Sequence, residues 1–119
     1  LGHTVGHAIE SLMLRRATPV LHGYAVAWGL VCELFMASTK LDFPTEHLYA
    51  VTRYVTTHYG RPEITCDDYD ELRELMLHDK KNTAGVVNFT QLAEVGKIIL
   101  DQTADASLIN EAFDYLREA

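Results

Sequence analysis

Three of the chain's six histidines stand where they could share one task. His3 and His7 lie in LGHTVGHAIES, and His22 lies in VLHGYAVAWG. Residues four apart on a helix sit one above the other on the same face, so His3 and His7 can address a single site. Neutral imidazole nitrogens are ligands for divalent metals such as zinc. The HxxxH spacing is a weak signal by itself, because two surface histidines give the same pattern. His22 strengthens it by opening the most apolar stretch of the chain. Each of the three also has a glycine neighbour (Gly2, Gly6 and Gly23), a residue that lets backbone or ligand approach closely. Helix N-termini favour anions, so a phosphate or carboxylate group would be at home at such a corner.

LHDKKN, Leu77 to Asn82, is a second candidate. Lys80 and Lys81 could offer a compact positive charge to an anionic substrate. They could equally be a solvated helix end that complements the dipole. His47, His58 and His78 sit near expected helix ends or among charges and read as solvated.

The elements that must position these residues are mostly helices. Val5, Ala8, Ile9 and Leu12 recur at helical steps and predict a helix over about 4–14, with Arg15 and Arg16 at its C-terminal end. ATPVLHG, with Pro19, connects it to a helix over about 23–39. That helix is apolar nearly all round, as a central helix would be. A third is predicted over about 45–58 with Thr45 as its N-cap, closed by Tyr59-Gly60-Arg61-Pro62. A fourth runs over about 67–79, with Asp67, Asp68 and Asp70 in its first turn and Leu72, Leu75 and Met76 as its apolar stripe. The pattern changes in GVVNFTQLAEVGKIILDQ, which is rich in β-branched residues and broken at Gly96. Two short strands near 86–101 are expected there, with Val87, Phe89 and Gln91 alternating with Asn88 and Thr90. A last helix over about 104–118 carries Leu108, Ile109, Ala112, Phe113 and Leu116. The fold class is therefore mainly α with a short β element.

Length and charge limit the functions. The 119 residues suffice for a single domain, and a hydrophobic content of 48% is a globular value. Ten basic against 17 acidic residues give a net charge of −7, which argues against a nucleic-acid surface. No basic amphipathic stretch suggests a membrane surface. The apolar window over 25–37 contains Glu33 and is too short to span a bilayer. Cys32 and Cys66 have no CxxC partner. Cys32 reads as a buried hydrophobe and Cys66 as a residue capping or flanking a helix, and two unpaired thiols suit a reducing cytosol. The start at Leu1 suggests a chain cut from something longer.

GHTVGHAIE (Gly2 to Glu10), LHGYAVAWGL (Leu21 to Leu30) and MLHDKKN (Met76 to Asn82), followed by VVNFTQLAEVGK, together resemble the 3-dehydroquinate synthase family. The likeness covers nearly the whole chain and fits the family's helical C-terminal domain. It implies conversion of 3-deoxy-D-arabino-heptulosonate 7-phosphate to 3-dehydroquinate and phosphate in the shikimate pathway. That chemistry uses NAD transiently and a divalent metal, zinc or another such as cobalt. By this likeness His3 and His22 are metal ligands. His7 contacts substrate and relays protons, and the pair Lys80-Lys81 holds the position that meets the anionic substrate, which His22 also adjoins. The third metal ligand and the NAD site would lie in an N-terminal domain absent from this chain, so the isolated chain is expected to be inactive. A homodimer in the cytoplasm is the implied setting for the full-length protein. Where the family often has Glu after LHG, this chain has Tyr24. Two alternatives stay open: a sibling sugar-phosphate cyclase such as a 2-deoxy-scyllo-inosose or epi-valiolone synthase, and a non-catalytic helical assembly domain.

Overall fold

The computed structural model describes the backbone of residues 3–77, 87–94, 97–104 and 106–119, and the side chains of 4–77 and 106–119. Five α-helices and one hairpin follow in order: α1 (His3–Arg15), α2 (His22–Leu41), α3 (Thr45–Tyr59), a 3-10 turn (Cys66–Asp68) leading into α4 (Tyr69–Leu77), strands β1 (Val87–Glu94) and β2 (Lys97–Ala104), and α5 (Ala106–Glu118). The strands pair antiparallel, from Val87 opposite Ala104 to Glu94 opposite Lys97, with two register shifts. The expected break at Gly96 falls between them. The side-chain alternation expected at 87–91 lies outside the described residues.

Helix α2 is central, packing on α1, α3, α5 and β1. Its apolar surface runs nearly all round because it has neighbours nearly all round. Trp28, Val31, Cys32 and Met36 are buried in the main core with the stripe of α1 (Val5, Ala8, Ile9, Leu12 and Met13). Leu72 and Met76 of α4 and all five expected residues of α5 complete it. A smaller cluster of Leu34, Ala37, Phe43 and Leu48 joins the end of α2 to α3. Burial, with Glu33 beside it, pushes the Cys32 thiol far above its usual range, so this cysteine is an inert part of the core. Cys66 is exposed. Among the described residues no helix is long and apolar enough to cross a membrane.

The third helix starts at Thr45 as expected, with a different cap. Pro44, not Thr45, holds the cap position of α3, in an extended conformation with ψ of 123° and no side-chain cap bond. Proline's fixed φ suits the entry to a helix, and Thr45 becomes the first helical residue. The fourth helix begins with the 3-10 turn and is capped by Thr65. The Thr65 hydroxyl accepts from the Asp68 N–H, and the Thr65 N–H donates to Asp68 Oδ2 at 2.8 Å. This reciprocal box satisfies two backbone donors. The end of α3 is as expected: Gly60 takes φ of +67°, a conformation that costs glycine nothing.

Candidate functional site at the crossing of the first two helices

Helix α1 meets the start of α2 at a crossing fixed by Gly6. A Cβ added there would lie 2.9 Å from the Ala25 carbonyl oxygen and 3.1 Å from the Val26 Cα. Both are backbone atoms, so only glycine lets the helices come this close. The sequence left open whether Gly6 makes room for backbone or for a ligand; in the structure it makes room for the backbone of α2. Gly23 differs again, since a Cβ there would meet nothing within 4 Å among the described residues.

The close crossing brings two exposed histidines together. His7 projects from α1 one residue after Gly6, and His22 is the first residue of α2. Their ring centroids are 5.8 Å apart and the planes are tilted by 35°. Two imidazoles at this spacing can both address one small bound group. Helix α2 has Leu21 at its N-cap with no side-chain cap bond, so the positive end of its dipole opens on the same corner. His3 begins α1 one helical turn before His7, and its side chain lies outside the described residues. His78, Lys80 and Lys81 also lie outside them, so the lysine pair's place relative to the histidines is not described. His47 and His58 are exposed on α3, as expected of solvated residues.

Glu10 joins the site without having been assigned a role from sequence. Its Oε1 lies 3.0 Å from Nδ1 of His22. Glu10 follows His7 by three positions on α1, a spacing that shares a helix face. That relation was legible, but the contact across to α2 was not. Among the described residues no three His, Cys, Asp or Glu side chains cluster as a closed metal site.

Tyr24, where the resembled family often has Glu, packs edge-on against Trp28 and Tyr59 at centroid distances of 6.1 and 4.9 Å. It lines a cleft of about 450 Å³ with Met13, Val20 and Trp28. The aromatic replacement thus has a packing role.

Comparison with known proteins places the chain among relatives. A family described as 3-dehydroquinate synthase C-terminal matches residues 1–82. A 3-dehydroquinate synthase of Parabacteroides distasonis is 45% identical over 118 residues, covering 99% of this chain and 33% of that protein. One from Leptospira interrogans is 39% identical over 103 residues, covering 85% of this chain and 27% of the relative. Among solved structures, 2-deoxy-scyllo-inosose synthase complexed with carbaglucose-6-phosphate, NAD+ and Co2+ matches with a TM-score of 0.72 at 24% identity. That match covers 96% of this chain and 32% of the solved one, and it shows the fold. The chain spans about a third of the length of these relatives.

Proposed function

We propose, since this chain belongs to the 3-dehydroquinate synthase C-terminal family, that it forms the metal- and substrate-binding part of a 3-dehydroquinate synthase. The enzyme would convert 3-deoxy-D-arabino-heptulosonate 7-phosphate to 3-dehydroquinate and phosphate. The observation that carries the reading is the meeting of His7 and His22, 5.8 Å apart on exposed ends of two packed helices. These residues come from the two motifs that carry the family likeness.

The donor chemistry fits a divalent metal, because His22 presents an exposed imidazole at the corner where α1 also starts. His3 and His22 would hold zinc or cobalt, with a third ligand from an N-terminal domain. When bound, the metal supplies Lewis-acid polarisation of substrate hydroxyls. NAD, held mainly by that other domain, supplies hydride uptake and return. The chain's own residues do the rest. His7 would contact substrate and carry protons, a role that an imidazole commonly fills. The open end of α2 and the pair Lys80-Lys81 favour an anionic sugar phosphate. The same reading places the full-length protein in the cytoplasm as a homodimer acting in aromatic biosynthesis.

A chimera tests this reading. The chain replaces the corresponding segment of the Parabacteroides distasonis relative, and phosphate release is measured with NAD and zinc. We expect turnover of the heptulosonate phosphate by the chimera and none by the 119-residue chain alone. Turnover of glucose 6-phosphate in its place would favour a sibling cyclase. A folded chimera that turns over neither would contradict the proposal.

A further inference from the structure

We infer that Glu10 is a positioning residue: its carboxylate fixes the tautomer and orientation of His22 so that the ring's Nε2 faces the metal. The inference rests on the reading of His22 as a metal ligand and goes one residue beyond it. Glu10 Oε1 and His22 Nδ1 are 3.0 Å apart, the distance of an ordinary hydrogen bond. A carboxylate only accepts, so the imidazole proton sits on Nδ1 and the ring donates it to Glu10. Coordination then falls to Nε2. A hydrogen bond to the non-coordinating nitrogen also makes the imidazole a better electron donor and limits its rotation about χ2.

The surroundings give this contact its purpose. His22 is the first residue of α2, where no side-chain cap steadies the helix start. Its side chain is 55% exposed, against 35% for Glu10, and its ring lies beside that of His7. Glu10 stands instead on the rigid middle of α1, with the buried Ile9 beside it and the buried Met13 one turn on. The two helices are locked against each other at Gly6, four residues earlier. A carboxylate on a firmly packed helix is thereby held against an exposed ring at the start of its neighbour. Direct coordination by Glu10 is a different arrangement, in which its Oε1 would leave the Nδ1 of His22 that it meets here.

The test reads the ring itself before any metal is added. In the 119-residue chain at mildly alkaline pH, nitrogen-15 NMR of the histidine rings should show His22 as the Nδ1–H tautomer. Glu10→Ala should shift it toward the Nε2–H form and weaken zinc binding, measured by calorimetry, by about 10- to 100-fold. Glu10→Gln keeps an acceptor oxygen and should hold the tautomer, with a smaller loss of zinc affinity than the alanine variant. Both substitutions are on a partly exposed side chain and should leave the thermal transition of the metal-free protein in place. His22→Ala separates the two levels of the argument. If it leaves zinc affinity unchanged, the metal-ligand reading fails and this inference fails with it. If it removes binding while Glu10→Ala changes neither tautomer nor affinity, the ligand reading survives and the role of Glu10 is overturned.

Discussion

Helix α1 ends differently at its two termini. Toward its start, exposed His7 faces exposed His22 across a crossing set by backbone contact at Gly6. At its close, Arg15 donates to Glu71 at 2.9 Å, and Arg16 reaches both Asp68 and the Glu63 carbonyl. Between them runs one buried stripe from Val5 to Met13. The arginine end is tied to the segment that begins α4. The histidine end is placed by what packs behind the imidazoles. Groups assigned to chemistry thus hang on the fold without carrying it. Exposed ion pairs are themselves worth at most about 1 kcal/mol, so the buried stripe is the common anchor of both ends.

Substitution can break this comparison. The largest expected effect is in the stripe: Ile9→Ala should cost about 2–5 kcal/mol in urea unfolding, for lost burial plus the cavity left behind. His7→Ala should stay within about 0.5 kcal/mol of the wild type, as exposed positions do. A comparable loss in both would mean that His7 is a structural element.

Gly6→Ala should come next. The new methyl meets two backbone atoms that can yield only if a helix moves, an overpacking cost of about 1–3 kcal/mol. Alanine's better helix propensity returns up to about 1 kcal/mol of this. A net loss with weaker zinc binding is expected, because the place of His22 against α1 depends on the crossing. A net gain in stability would show that the helices separate without cost.

The far side of the core offers a pH test. Burial first, and the Asp114 carboxylate that its hydroxyl meets at 2.7 Å, push the Tyr69 hydroxyl up to about 12, while Arg117 opposes the shift. The folded protein then holds a proton that the unfolded chain releases near pH 10, the usual value for tyrosine. Stability is therefore unaffected below about pH 10 and falls as pH rises from there toward 12. Tyr69→Phe should flatten that alkaline decline, at a cost of about 1 kcal/mol at neutral pH for the lost hydrogen bonding. An unchanged decline would remove Tyr69 as its cause. A small effect is also expected for Arg16→Ala, about 1 kcal/mol or less, since Thr65 and Asp68 keep their reciprocal cap. A much larger loss would make the arginine end, and not the stripe, the anchor of α1.

What could be read from the sequence follows from which interactions are local. Val5, Ala8, Ile9 and Leu12, and the five apolar residues of α5, were legible because one helical period met one core. Pairs four apart, such as His3 and His7, were visible for the same reason. The start of the fourth helix was legible near Asp67 but its 3-10 form was not, because Asp68 does more than favour a dipole: it accepts from the Thr65 N–H and receives Arg16. Those bonds wind Cys66–Asp68 into a 3-10 turn ahead of α4. Gly6 was legible as a point of close approach but not what approaches it, and Glu10 carried no such signal. Both act across the α1–α2 crossing, on atoms that helical periodicity does not bring together.

The central claim is that His22 holds metal while His7, its neighbour, handles substrate and protons. The direct measurement is zinc content and turnover, taken together, for the His7→Ala and His22→Ala variants of the chimeric enzyme. We expect His22→Ala to lose both zinc and activity. His7→Ala should keep its zinc and lose about 10²- to 10⁴-fold in rate, the usual range for removing a proton-transfer group. Zinc lost with His7, or retained without His22, would contradict this division of roles.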